Sequence, residues 1–205
     1  MRKYLFSSAR VLTVGALLSL VAAAPANAAP HGEVNASECR EGSFSQPFLS
    51  LKDKNWYTLA PGQSASGFSG AGWELTGGAR IVTATLPNGE TGSVLDLPSG
   101  ARAVSPVLCV TSDYPTARAY VRNVVGGEGV AFNVSYEGTE TWERPKNTGQ
   151  IHGPGKAGWG PSGNVNLQPE DSFSGWQPMR IILVPGGKTS DFQVSQLYLD
   201  PRLGH

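Results

Sequence analysis

The residues that could act as acids, bases or metal ligands are few and far apart in this chain. Its three histidines, His31, His152 and His205, stand in no pattern typical of general-base or zinc chemistry. The sequence also lacks the Gly-x-Ser-x-Gly turn of serine hydrolases, the His-Glu-x-x-His helix of zinc proteases and the lysine-containing loop that holds nucleotide phosphates. We therefore predict no nucleophilic, zinc-dependent or nucleotide chemistry, no metal and no cofactor.

Carboxylate chemistry is the one catalytic class that the sequence leaves open. Glycoside hydrolysis needs one protonated and one ionised carboxyl group facing each other across a cleft, and the chain has 16 Asp and Glu residues. Glu140 and Glu143, like the adjacent Glu170 and Asp171, are more simply interpreted as solvated charges. An extracellular hydrolase is therefore the least favoured hypothesis, and we predict that the protein is not an enzyme.

The tryptophans are the most informative candidates for ligand contact, because a flat, exposed indole on a β-sandwich can stack on the apolar face of a sugar ring. Trp56 and Trp73 lie in strand-like patterns beside apolar neighbours, which predicts that they belong to the core. Trp142 and Trp159 lie among Gly and Pro in an irregular stretch, where burial is harder. These two are the predicted ligand-binding residues. The chain has five tryptophans in all, the fifth being Trp176.

The N-terminus has the pattern of an export signal. An apolar run at 11–24 is preceded by three basic residues, Arg2, Lys3 and Arg10. It is followed by Ala-Asn-Ala at 26–28, which offers the small residues that a signal peptidase requires. The run is shorter than the roughly 18 to 20 residues needed to cross a bilayer, which disfavours the alternative of a retained anchor. We predict a signal peptide at 1–28, a secreted protein, and no membrane association after cleavage.

Export changes how the charges and cysteines are interpreted. Three of the 16 basic residues leave with the signal, so 13 remain against 16 acidic ones, a net charge of −3 that gives no basic excess for nucleic acid. The remaining cysteines are Cys39 and Cys109, for which an oxidising exterior predicts a disulfide, a free pair being the alternative.

Composition and patterning predict an all-β protein. Gly and Pro are abundant, at 26 and 15 residues, and only 16% of residues are charged. No window shows helical periodicity, whereas short alternating or apolar runs are separated by turn residues. A leader at 29–38 precedes one domain at 39–205, in which 139–163 is the least regular stretch. The predicted strands are 44–49, 56–59, 72–76, 79–85, 93–97, 107–110, 116–124, 130–136, 165–167, 179–184 and 192–199.

Several short motifs together resemble a family of actinobacterial secreted proteins of unassigned function. They are SQPF at 45–48, YTLAPG at 57–62, GWELTGGA at 72–79, LPSG at 97–100, SPVLCV at 105–110 and QLYLDP at 196–201. The resemblance implies a two-sheet jelly-roll β-sandwich similar to carbohydrate-binding modules, with the first and last strands adjacent and the two cysteines paired. It implies no established activity.

A calcium site of the kind found in carbohydrate-binding jelly rolls is left open. Relatives commonly carry an acidic pair before the final Tyr, whereas this chain has Ser195 and Gln196, which weakens the case. The acids near the two chain ends are Asp200, Asp53 and Glu41. No metal ligand is assigned.

The favoured hypothesis is a secreted, non-enzymatic β-sandwich that binds an extracellular glycan or cell-wall polymer through Trp142 and Trp159. The alternative is a structural or protein-interaction module at the cell surface, in which both tryptophans are buried. The sequence specifies neither the ligand nor the oligomeric state.

Overall fold

The computed structural model describes residues 36–37, 39, 42–113, 115–138, 141–155, 157–169 and 175–201. The signal peptide predicted at 1–28 lies outside the described residues, as does all but Ala36 and Ser37 of the leader predicted at 29–38. His31, His205, Glu41, Glu140, Glu170 and Asp171 also lie outside them. The predicted domain boundaries therefore stay predictions.

The described residues form one short 3-10 helix, Leu49–Leu51, and fifteen β-strands. Among these residues no helix is long and apolar enough to cross a membrane. The strands are β1 Thr58–Leu59, β2 Gln63–Ser64, β3 Gly67–Phe68, β4 Glu74–Thr76, β5 Arg80–Thr85, β6 Thr91–Pro98, β7 Arg102–Val104, β8 Leu108–Val110, β9 Thr116–Val125, β10 Val130–Tyr136, β11 Lys146–Ile151, β12 Trp159–Pro161, β13 Val165–Asn166, β14 Gln177–Pro185 and β15 Asp191–Asp200.

The strands are arranged in two sheets. The larger sheet has nine strands in the order β12-β9-β15-β6-β3-β2, with β1 on β15, β13 on β9 and β5 on β6. The smaller has six, in the order β11-β10-β14-β7-β4, with β8 on β14. Every pairing is antiparallel except the single contact of β3 with β6.

The strand pairing is that of a jelly roll. Strand β6 pairs with β15, β7 with β14, β9 with β12, and β10 with β11, so that an eight-strand ribbon is folded in nested pairs and wound over two sheets. The all-β jelly-roll prediction is confirmed. The first strand also lies beside the last, because Thr58 pairs with Leu199 and Leu59 with Tyr198.

The inward faces of both sheets enclose one main hydrophobic core, as period-two alternation requires. In β10, Phe132 and Val134 point inward between half-exposed Ala131 and Asn133. The largest fully buried contributors to this core are Phe68, Leu95, Leu97, Phe132, Ile151, Leu167, Met179, Ile181, Leu183 and Phe192.

The predicted disulfide is confirmed. Cys39 and Cys109 are bonded with their Cα atoms 5.6 Å apart. Cys109 lies in β8, so the bond fastens the start of the described chain to the six-stranded sheet.

One strand prediction and one loop prediction were wrong. Residues 44–49 do not form a strand: Ser45 makes one bridge to Tyr57, and the chain then turns through Pro47 into the 3-10 helix, which ends at Lys52 with a positive φ of 64°. The stretch 139–163 is not irregular throughout, because it contains β11 and β12. The short strands β2, β3 and β7 were also missed.

Candidate functional site

The outward face of the nine-stranded sheet carries several large side chains that do not belong to the main core. Along β9, Ala117, Ala119 and Val121 are fully buried in that core. Alternation therefore turns the residues between them outward, namely Arg118, Tyr120 and Arg122. The face opposite the core thus presents an aromatic ring flanked by two guanidinium groups.

The neighbouring strand β15 contributes a second tyrosine because it contains a bulge. The pairing of β15 with β9 shifts register between Val194 and Leu197, so Leu197 and Leu199 enter the core and Tyr198 faces outward. Gln63 stabilises the bulge: its Oε1 accepts a hydrogen bond from the Leu197 backbone N–H at 2.8 Å.

A groove of about 350 Å³ lies on this outward face. Its floor is formed by Tyr120, Tyr198 and Gln196, and its walls come from three turns. None of the described residues that line it is charged. The full lining is Pro47, Ala65, Leu86, Pro87, Asn88, Tyr120, Gln196 and Tyr198.

One wall of the groove is held in place by Phe48, which is fully buried although it lies outside the main core. Its ring centre is 5.4 Å from the ring centres of both Tyr120 and Tyr198. The Arg118 guanidinium carbon lies 4.5 Å from the Phe48 ring centre on the same face. An aromatic cluster therefore fixes the segment that carries Pro47.

Asp53 ties the same segment to the sheet. Its Oδ2 accepts hydrogen bonds from Tyr57 Oη at 2.9 Å and from Arg118 Nη1 at 2.6 Å. Burial, and secondly the hydrogen bond to the Asp53 carboxylate, raise the pKa of Tyr57 to about 12. Tyr57 therefore stays a neutral hydrogen-bond donor at any physiological pH.

Trp159 lies on β12, next to the strand that carries Tyr120, but does not itself line the groove. The strand places Pro161 opposite Tyr120 and Trp159 opposite Arg122, whose guanidinium carbon is 5.2 Å from the indole centre. The indole Nε1 donates a hydrogen bond of 2.6 Å to the carbonyl oxygen of Thr85, next to the groove residue Leu86. Trp159 is half-exposed.

A row of polar side chains crosses the sheet beyond this contact. The register aligns Arg80, Asp96, Gln193, Arg122 and Trp159 on five successive strands. Arg80 pairs with Asp96 at 2.5 Å, Gln193 Nε2 donates to Asp96 at 2.9 Å, and Arg122 donates to Gln193 Oε1. Asp96 is only 2% exposed, so its charge is compensated inside this row.

Asp191 lies next to the row and is the acid whose ionisation the fold disfavours. Burial raises the pKa of its carboxyl group above the ordinary value, and the charge of Asp96 raises it further, whereas Arg80 and Arg122 oppose these effects.

We predict that Asp191→Asn stabilises the protein at neutral pH. Because the folded pKa of Asp191 is raised, its ionised form costs stability, and this cost is absent below the unfolded pKa of about 3.9 and complete above the raised value. Thermal unfolding is measured from pH 3 to pH 8. The Tm of the variant should exceed that of the unmodified protein at pH 7, and the two Tm values should be equal at pH 3. Exposed Glu128→Gln is the control. A lower Tm at pH 7, or a gain that persists at pH 3, would contradict the prediction.

The two tryptophans predicted to bind ligand do not lie on one surface. Trp142 packs against Arg180, whose guanidinium carbon is 4.5 Å from the indole centre. Arg180 belongs to β14 of the six-stranded sheet and points outward, since Met179 and Ile181 are in the core. Trp142 thus lies outside one sheet and Trp159 outside the other. A single site containing both is excluded, and ligand binding by either one stays a prediction.

Of the two tryptophans predicted to be buried in the core, only Trp73 is buried. Trp73 is buried, at 8% exposed, and its Nε1 donates to the Pro61 carbonyl at 2.8 Å, which confirms its structural role. Trp56 was predicted to be buried but is 41% exposed, because strand β1 begins only at Thr58 and leaves Trp56 in the loop before it. Trp176 borders a separate apolar cleft of about 220 Å³.

Tyr120 and Tyr198 were not among the sequence candidates. A signal for Tyr120 was available: in β9 the small residues Ala117 and Ala119 alternate with larger ones, so the large ones had to face away from a tightly packed core. No comparable signal exists for Tyr198, whose direction depends on the bulge.

No family model and no curated protein matches this chain. Solved structures with a similar fold include several carbohydrate-binding modules. The CBM22-1 xylan-binding domain of Xyn10C from Paenibacillus barcinonensis is 10% identical over 81% of this chain and 99% of that one, with a TM-score of 0.43. A family 16 module is 14% identical over 69% and 97%, with a TM-score of 0.43.

A family 11 module from Clostridium thermocellum, in complex with a β-1,3-1,4-mixed-linked tetrasaccharide, is 11% identical over 73% of this chain and 98% of that one, with a TM-score of 0.38. At such identities the likeness concerns the fold, and no binding residue is transferred. The resemblance to actinobacterial secreted proteins stays a prediction.

The described residues contain no cluster of three or more His, Cys, Asp and Glu side chains suited to a metal. Of the acids considered for calcium, Asp53 bonds Tyr57 and Arg118, and Asp200 lies at the end of β15 opposite Thr116. The exposed His152 is the one histidine that the structure describes.

Proposed function

We propose that this protein is a secreted, non-enzymatic glycan-binding protein whose groove on the nine-stranded sheet receives a neutral sugar. The observation that carries the proposal is the lining of the groove: two tyrosine rings, the amides of Gln196 and Asn88, and no charged side chain. A sugar ring has an apolar C–H face that packs on aromatic rings and hydroxyl groups that hydrogen-bond to amides. The groove offers both kinds of partner.

The charges around the groove support a neutral ligand. Arg118 is paired with Asp53, and Arg122 donates to Gln193. Asp96 is paired with Arg80. Each of these charges is engaged within the protein, so an acidic or basic sugar would find no free counter-charge on the floor of the groove.

The predicted export signal and the disulfide support a place outside the cell, where polysaccharides are accessible and cysteines oxidise. The hydrolase hypothesis is not proposed, since no carboxylate lines the groove in the part of the chain that the structure describes. Burial of both Trp142 and Trp159 would have favoured the interaction-module hypothesis, and neither side chain is fully buried.

We predict that Tyr120→Ala and Gln196→Ala each weaken glycan binding, Tyr120→Ala by about tenfold or more, as expected for truncation of an aromatic anchor. Trp159→Ala should weaken binding as well, because the indole's hydrogen bond to Thr85 braces the turn that carries Leu86. The assay is retention of the purified protein on chitin, cellulose and peptidoglycan, and in gels that contain soluble neutral polysaccharides.

The matched control is Trp142→Ala, which removes an indole stacked on an arginine in the same way but on the opposite sheet. It should bind like the unmodified protein. Thermal unfolding of each variant separates loss of binding from loss of folding. The proposal fails if no polysaccharide retains the protein, or if Tyr120→Ala and Trp142→Ala are retained equally.

A further inference from the structure

The groove is walled on three sides, and each wall is fixed by contacts within the protein. The first wall is the segment at Pro47. Phe48 anchors it by packing on Tyr120 and Tyr198, and Asp53 holds its other end to Arg118. The ends of the two floor rings on this side are therefore covered by protein.

The second wall is the turn between β5 and β6, with Leu86, Pro87 and Asn88, and it is braced from outside the groove by the contact between Trp159 and Thr85. Trp159 and Thr85 belong to β12 and β5, which are separated by β9, β15 and β6. In a flat sheet the two strands would lie about 19 Å apart, too far for an indole to reach, so the sheet must curl until its margins meet. The 2.6 Å hydrogen bond between the Trp159 Nε1 and the Thr85 carbonyl closes the face at that point.

The burial of the polar row beyond this contact is consistent with the closure. Asp96 is 2% exposed and Gln193 is 9% exposed, although both side chains point away from the main core. The Nε of Arg122 is also buried, without a hydrogen-bond partner. A sugar chain in the groove therefore cannot continue along the sheet past Trp159.

The third wall is the turn between β2 and β3. Ala65 lies in this turn, and Gln196 Nε2 donates to its carbonyl at 3.5 Å. The turn is docked tightly because Gly67 has no side chain: a Cβ there would lie 2.5 Å from the Ser93 carbonyl oxygen.

We infer that the groove receives the end of a sugar chain, one or two units long, and not an internal stretch of a polymer. This inference rests on the proposed glycan binding and specifies its mode. An internal stretch needs a channel open at two opposite ends, whereas three walls leave one side for entry. The volume of about 350 Å³ is at the small end of ligand sites, which suits a short terminal segment.

The test is titration calorimetry of the full mature chain with cello-oligosaccharides and chito-oligosaccharides of one to six units. For the series that binds, affinity should rise from one to two units and then stay constant within about twofold up to six. The stoichiometry should be one protein per chain at every length. Partial hydrolysis of the matching polymer, which creates new ends, should raise the number of protein molecules bound per gram.

Trp159→Phe gives an independent arm, because it keeps a ring at the margin and removes the hydrogen bond to Thr85. With the wall loosened, six units should bind more tightly than two, whereas in the unmodified protein they should bind alike. Trp142→Phe on the opposite sheet is the control and, like the unmodified protein, should bind six units no more tightly than two.

Affinity of the unmodified protein that climbs tenfold or more from two to six units would overturn the inference, as would several protein molecules on one hexasaccharide. Either result would leave glycan binding itself intact. Absence of binding to every oligosaccharide and polysaccharide would overturn both the inference and the proposed function.

Discussion

Replacing both cysteines, Cys39→Ser with Cys109→Ser, should lower the free energy of unfolding by about 4 kcal/mol. The disulfide joins residues 70 positions apart, and cross-linking a loop of that length removes much of the conformational freedom of the unfolded chain. That amount is a large part of the 5 to 15 kcal/mol that is typical of a folded domain. The double variant is therefore expected to be only marginally folded at 37 °C.

Chemical denaturation of the oxidised protein and of the double variant measures this effect. Reductant provides the matched control, because it should destabilise the unmodified protein by a similar amount and leave the variant unchanged. A loss below about 1 kcal/mol would show that the region around Cys39 is held by other contacts.

The second large effect is expected for Phe48→Ala, which should cost about 3 to 5 kcal/mol of stability. Phe48 is 0% exposed and contacts the rings of Tyr57, Tyr120 and Tyr198 as well as the Arg118 guanidinium. Truncation would leave a cavity between the loop and the sheet. Glycan binding should weaken too, since the first wall of the groove depends on this anchor.

Leu49→Ala is the control for Phe48→Ala. Leu49 is the next residue in the same loop but is 52% exposed, and substitution of an exposed side chain typically changes stability by no more than about 0.5 kcal/mol. Denaturant unfolding of the two variants compares an inward with an outward side chain in one loop. Equal losses would mean that the aromatic cluster does not hold the loop to the sheet.

The sequence was sufficient to predict the central strands, since their alternation is imposed by burial between the sheets. The predicted strand 130–136 has the bounds of β10, Val130–Tyr136. Strand β11, with the sequence KNTGQI, carried no such signal because it lies at the edge of its sheet and five of its six residues are at least partly exposed. Strand β12 was also not predicted, because its Pro161 argues against a strand. The proline is tolerated since β12 lies at the edge of its sheet.

The candidate site was less predictable than the fold, because its floor depends on a single irregularity. Counting by twos from Phe192 and Val194, both in the core, would place Gln196 and Tyr198 in the core as well. The bulge inserts one residue and reverses the faces, so that Tyr198 joins Tyr120 outside. The bulge depends on Gln63, which is 134 positions away in the chain, and local patterning does not reveal such a partner.

The pairing of Trp142 with Trp159 failed for a related reason. Both lie in a stretch rich in Gly and Pro, and their nearness in sequence suggested one loop surface. In sequence, β11 comes between the two tryptophans and belongs to the six-stranded sheet. The next strand, β12, carries Trp159 and belongs to the nine-stranded sheet, so the two indoles are on opposite sides of the sandwich. Which tryptophan shares a surface with the groove could be decided only from the strand order.

The most direct test of the glycan-binding groove is a proton–nitrogen NMR titration that follows the indole N–H signals of the tryptophans. The protein is titrated with whichever cello- or chito-oligosaccharide it binds, and the signals are assigned with single Trp→Phe variants. The groove predicts that the Trp159 signal shifts with the binding curve while that of Trp142 does not. A shift of Trp142 with Trp159 unchanged, or saturation without any shift of Trp159, would contradict it.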